Sequence, residues 1–303
     1  MYKNFYRFDQ MPFSLTPNTK FFFDHQTHRE ALNTLLVALK HSEGFIKIVG
    51  EVGTGKTLLC RKLLASLDNN FLTAYIPNPY LSPDELKNLV AEEIGIKCDH
   101  EIPSYKLVSM IYRRLIELAQ QGKRVVIVID EAQAMPRETI EALRLLTNIE
   151  TENRKLLQVV LLGQPELDTV LNRKDLRQLK QRIVFSERLK PLDSRGTAFY
   201  VSHRLRVAGC QSALFSKGAL RLLEYASGGI PRLINIIAHK SLLSAFGKGL
   251  PQVTAVHLAR AVADTPECHW RGKVMAWRWS LLWPLVGSAS VFVGLIMQNS
   301  VGI

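Results

Sequence analysis

Gly50-Glu51-Val52-Gly53-Thr54-Gly55-Lys56-Thr57 is the stretch around which this chain is organised. The apolar run Phe45-Ile46-Lys47-Ile48-Val49 before it reads as a buried parallel strand, and Leu58-Leu59-Cys60-Arg61-Lys62-Leu63-Leu64 after it reads as a helix. Strand, glycine loop and helix in that order make a P-loop. Glycines let successive N–H groups turn inward around a phosphate, and the helix N-terminus adds partial positive charge. The candidate cradle for a nucleoside triphosphate is therefore Gly50, Glu51, Val52, Gly53, Thr54, Gly55, Lys56, Thr57 and Leu58. Lys56 is placed to reach the β and γ phosphates, and the Thr57 hydroxyl to ligate Mg2+.

A second stretch, Arg124-Val125-Val126-Ile127-Val128-Ile129-Asp130-Glu131-Ala132-Gln133, reads as a central strand delivering two acids to the carboxyl edge of a sheet. Beside a P-loop, Asp130 becomes a second support for the metal. Glu131 becomes the group that polarises the attacking water. Taken by itself the pair also suits the start of a helix, as a cap and a first-turn acid. The run from Leu156 to Leu162 reads as another buried strand, ending in Gly163-Gln164-Pro165-Glu166. Gln164 is then a candidate to face the γ-phosphate, or a turn residue before proline. The following helix bears Arg173, Lys174, Arg177, Lys180 and Arg182, most of them expected as a solvated face, with one of the arginines a candidate to reach a neighbouring subunit's nucleotide.

The chain has 303 residues, 47% of them apolar, which is ample for packed cores and excludes a disordered chain. Its formal charge is +12. From Leu171 to Lys248 there are 15 lysines and arginines against 4 acids, a net +11, so one segment holds nearly all the excess. Such a segment suits phosphate, nucleic acid or anionic lipid, and equally an ordinary solvated surface. Cys60, Cys98, Cys210 and Cys268 lie far apart and none sits in a CxxC or Cys/His ligand spacing, so the sequence suggests neither a zinc site nor a disulfide framework. His100 and Glu101 fall in a loop with no evident catalytic partner.

Residues 1–43 are expected to form a strap, aromatic and proline-broken from Phe8 to Phe23, followed by an amphipathic helix over His28 to Lys40. Residues 44–190 then form the nucleotide-binding core, with further helices from Ser82 to Ile94, Ser104 to Gln121 and Pro136 to Ile149. From 191 to 266 the pattern changes to helices alone, a second small domain. Its Gly228-Gly229-Ile230-Pro231-Arg232 places Arg232 at a helix N-terminus, as a nucleotide sensor or as a plain surface arginine. Residues 267–303 begin basic, with Arg271, Lys273 and Arg278. They continue as Trp279 to Ile303, 25 residues without a charge, a span long enough for one transmembrane helix or for a buried C-terminal helix. No secretion signal opens the chain, and the charges before the span place the nucleotide-binding part in the cytoplasm.

These residues resemble the AAA-type ATPases of the general secretion pathway protein A (ExeA) group. The resemblance rests on Pro12-Phe13-Ser14-Leu15-Thr16-Pro17, Gly50 to Thr57, Ile129-Asp130-Glu131-Ala132-Gln133, Leu162-Gly163-Gln164-Pro165-Glu166-Leu167, Gln181-Arg182-Ile183 and Gly228-Gly229-Ile230-Pro231-Arg232. It implies an α/β AAA+ core with a helical lid, and hydrolysis of ATP with Mg2+ at the interface of a homo-oligomer. Arg182 is then the arginine given in trans and Arg232 the lid sensor. It also implies a bacterial inner-membrane protein whose partners are membrane components of a type II secretion or MSHA-type type IV pilus apparatus. Relatives of this group carry a periplasmic peptidoglycan-binding region that is not seen before Ile303, so direct wall binding is not expected. The basic segment favours an alternative, a DNA-binding ATPase similar to transposition regulators of the TniB kind, and the apolar tail argues against it.

Overall fold

The computed structural model describes residues 2–97, 102–148, 150–151 and 154–268. Cys98, His100, Glu101 and the apolar Trp279–Ile303 stretch lie outside the described residues. Among those described, no helix is long and apolar enough to cross a membrane. The chain divides into two compact units, one of residues 24–190 and one joining residues 1–23 to the part that begins at Pro191.

The first unit is built on a five-stranded sheet of β1 (Phe45–Gly50), β2 (Phe71–Ile76), β3 (Arg124–Ile129), β4 (Leu157–Gly163) and β5 (Ile183–Leu189). Every pairing is parallel, in the order β2-β3-β4-β1-β5. A helix, α1 (Gln26–Lys40), precedes the first strand; parallel neighbours need crossover helices, and these are α2 (Lys56–Ser66), α3 (Pro83–Glu93), α4 (Ser104–Gln120), α5 (Arg137–Leu146), α6 (Glu166–Leu171) and α7 (Arg177–Gln181). On β3, Val125, Ile127 and Ile129 share a core with side chains of α3, α4 and α5. The intervening Val126 and Val128 are also fully buried. A central strand covered on both faces is apolar at nearly every position, which is why it reads as a continuous run.

Strand register determines where the chemistry lies. Val49 stands opposite Gly163, and Ile129 opposite both Ile76 and Leu161. The carboxyl ends of β1, β3 and β4 therefore lie side by side, and whatever follows each strand emerges at one edge of the sheet.

The second unit is helical, with α8 (Ser194–Val207), α9 (Lys217–Ser227), α10 (Pro231–Phe246) and α11 (Ala255–Ala263). Asp193 caps α8 by accepting from the Gly196 N–H at 2.6 Å, and Ser216 caps α9 through the Ala219 N–H at 3.2 Å. Tyr2, Tyr6, Phe8, Phe13 and Phe21 from the N-terminal strap are buried in the same core as Leu222, Ile234 and Leu258. The strap is held by Arg204, whose guanidinium donates to the carbonyls of Pro12 at 2.5 Å and Ser14 at 3.0 Å and lies over the Phe21 ring at 4.3 Å.

Candidate nucleotide site

The loop between β1 and α2 is shaped by its own backbone. The Thr54 hydroxyl donates to the Glu51 carbonyl at 2.8 Å and the Thr54 N–H to the same carbonyl at 3.2 Å, closing a turn. Gly55 has φ +100, the left-handed region that costs glycine nothing, and a Cβ there would lie 3.2 Å from His28 Nε2. His28, buried on α1, hydrogen-bonds the Thr54 carbonyl at 2.8 Å, so α1 pins the loop from behind. Burial holds the His28 imidazole below its usual pKa, and the neutral ring with Nε2–H is the donor that bond requires. The loop leads into α2, whose first bond runs from the Leu59 N–H to the Gly55 carbonyl at 2.9 Å, with Leu58 in the first turn.

Lys56 is 5% exposed, and its ammonium donates to the carbonyls of Gly50 at 2.8 Å and Glu51 at 3.1 Å. Burial lowers its pKa, against the opposing pull of Glu131 and Asp130. The Thr57 hydroxyl donates to Asp130 Oδ2 at 2.7 Å. Asp130 is itself buried, takes the Glu131 N–H on Oδ1 at 3.0 Å, and is hydrogen-bonded by Tyr75 from the neighbouring strand. Burial, and next the charge of Asp130, push the Tyr75 phenol up to about 12, so it stays a donor.

Glu131 has a left-handed backbone at φ 51, and its side chain caps nothing in the short helical turn that follows. Its Oε2 instead accepts from Gln133 Nε2 at 2.7 Å and Gln164 Nε2 at 2.9 Å. Burial pushes this carboxyl up. The two amide donors and the Lys56 charge more than reverse that, leaving its pKa below the usual glutamate value.

Lys56, Thr57, Asp130, Glu131 and Gln164 thus come together at one sheet edge. Arg182 is held elsewhere on this unit, donating to the Asn148 side chain and, at 3.4 Å, to the Arg144 carbonyl. Arg232 is exposed at the second position of α10 in the helical unit. Three contributors had no role assigned from the sequence: His28 reads as one position of an amphipathic helix, Tyr75 as part of an apolar strand-like run, and Gln133 as the last residue of the stretch that carries Asp130 and Glu131. The adjacency of Gln133 to Asp130-Glu131 was the one hint available. Thr57 and Asp130 offer hard oxygens 2.7 Å apart, the donor chemistry of magnesium, which takes one or two protein oxygens and completes its shell with phosphate and water.

Residues 39–171 match the family model described as an AAA domain. General secretion pathway protein A of Aeromonas hydrophila is 39% identical over 294 residues, which cover 97% of this chain and 53% of that protein, so the chain spans about half the length of this relative. Among solved structures, Cdc6p of Pyrobaculum aerophilum is similar with a TM-score of 0.65 at 18% identity, over 84% of this chain and 70% of that one. The ORC2 protein of Aeropyrum pernix, solved as ADPNP-ADP complexes, gives 0.61 at 16% identity, over 83% and 72%. Both establish the fold. The parallel sheet, the P-loop at its edge and the matched domain place residues 39–171 in the class of P-loop AAA domains. Within that class the chain is a relative of general secretion pathway protein A.

Proposed function

We propose that this chain binds ATP with Mg2+ over Gly50–Leu58 and hydrolyses it to support assembly of a secretion or pilus apparatus in the bacterial envelope. The observation that carries the reading is the convergence at one sheet edge of Lys56, Thr57, Asp130 and Glu131, with Thr57 and Asp130 in direct contact. Lys56 exchanges its carbonyl partners for the phosphates, and Thr57 and Asp130 hold the metal, which neutralises phosphate charge when bound. Glu131 takes the proton of the attacking water through the oxygen that the two amides leave open. Gln164 orients that carboxylate. Arg182 is supplied to a neighbouring subunit's nucleotide, and Arg232 serves as sensor from a lid formed by residues 191–266.

The sequence relative supports a secretion role by its name, General secretion pathway protein A. A type IV pilus of the MSHA type is the more specific assignment we favour, with Trp279–Ile303 as a single inner-membrane anchor and the ATPase on the cytoplasmic side. The test uses the full chain in isolated membranes. Carbonate-resistant association, together with Mg2+-dependent phosphate release that Glu131→Gln abolishes, is the expected result. Equal release by parent and variant contradicts the hydrolytic assignment.

A further inference from the structure

Gln133 is bonded at both ends of its amide. Nε2 donates to Glu131 Oε2 at 2.7 Å, while Oε1 accepts from the backbone N–H of Gln164 at 2.9 Å. The Gln164 side chain returns to the same Glu131 oxygen at 2.9 Å. The three residues close a ring of hydrogen bonds across the carboxyl ends of β3 and β4, which are paired through Ile129 and Leu161. The chemistry of the partners dictates how the Gln133 amide is turned. A carboxylate only accepts and a backbone N–H only donates, so a flipped amide would lose both bonds.

This ring does something the backbone cannot do alone. Glu131 sits in the left-handed region, where a side chain other than glycine persists only if its surroundings enforce it. The ring anchors Oε2 and leaves Oε1 without a hydrogen bond among the described residues. One oxygen is fixed and the other is free to meet a water. Gly163 makes room for the arrangement, since a Cβ there would lie 3.1 Å from Gln133 Oε1 and 2.8 Å from Leu167 Cδ2.

We propose that Gln133 is the positioning residue of Glu131: it fixes which carboxylate oxygen faces the attacking water and ties that oxygen to the end of strand β4. The inference rests on the hydrolytic reading of Glu131 given above. It assigns Gln133 no contact with nucleotide.

Gln133→Glu separates positioning from mere packing. The replacement is nearly isosteric and retains an acceptor for the Gln164 N–H, but it removes the donor to Glu131. The expected result is a single-turnover hydrolysis rate about 10- to 100-fold below the parent, the scale of a misplacement near 1 Å, with ATP affinity unchanged. In a Glu131→Gln background the same change has little further effect, because residues acting through one another are not additive. Gln133→Leu, which removes both bonds, shows the same split between rate and affinity, and a matching thermal melt for each variant keeps the comparison on folded protein. Parental rates in Gln133→Glu overturn the proposal, as does a loss confined to ATP affinity or a full-sized effect in the Glu131→Gln background. Parental rates in Glu131→Gln alone overturn the hydrolytic reading and this inference together, whereas a Gln133 variant at parental rate beside an inactive Glu131→Gln overturns this inference only.

Discussion

Lys56 and Glu131 show how this site reconciles charge with burial. A lysine 5% exposed is stable as an ammonium only if its protons are bonded, and here the carbonyls of Gly50 and Glu51 accept them while two acids stand nearby. Glu131 faces the same problem with the opposite charge, since burial favours its neutral form and a base must be ionised. The amides of Gln164 and Gln133 settle that in favour of the carboxylate. The consequence for Glu131→Gln is specific: the amide keeps the volume and loses the base. Phosphate release should fall by about 10²- to 10⁴-fold, the usual worth of a positioned general base, while ATP binding persists. A rise in the Michaelis constant at parental kcat would instead make Glu131 a binding group.

At the scale of elements, the strands formed by the three apolar runs were legible because a strand covered on both faces is apolar at nearly every position, with Lys47 and Gln158 as isolated interruptions. The P-loop and Asp130-Glu131 were legible for a related reason, since each follows such a strand directly and the register then brings them together. Arg204 was not. In the sequence it is one cation among many between Leu171 and Lys248. In the fold it is 5% exposed and binds the strap to α8 through the carbonyls of Pro12 and Ser14. Part of the basic excess is therefore internal structure and not a solvated face. Arg204→Ala leaves two carbonyls without their charged donor and strips the Phe21 ring of its cation. We expect a loss of about 2–3 kcal/mol in urea unfolding, the range for hydrogen bonds to a charged group. A change below about 0.5 kcal/mol, as at an ordinary surface position, would show that the strap is held by its aromatic side chains alone.

Across the whole molecule, four histidines in both units share one electrostatic condition. His28, His203, His239 and His257 all have pKa values lowered from 6.5, with burial the leading cause in each. Below about pH 6.5 the unfolded chain takes up protons on these rings that the folded chain refuses, so the unfolded state binds more protons and stability rises with pH there. Denaturant unfolding should accordingly give a lower stability at pH 5.5 than at pH 7.5, a window in which the carboxylates stay mostly ionised. Equal stability at the two values would mean the rings charge freely within the fold. The sequence could not announce this, because a histidine at a core-facing helical position looks the same whether its ring is wet or dry. Its pattern did fix the sheet, the loop and the acids, on which the account chiefly rests. The most direct measurement is a crystal structure of the full chain carrying Glu131→Gln, with ATP and Mg2+ bound. The account predicts that Lys56 leaves the carbonyls of Gly50 and Glu51 to lie about 3 Å from a phosphate oxygen, with residue 131 facing the γ-phosphate. Nucleotide bound elsewhere, or Lys56 still on those carbonyls with ATP in the cradle, would contradict it.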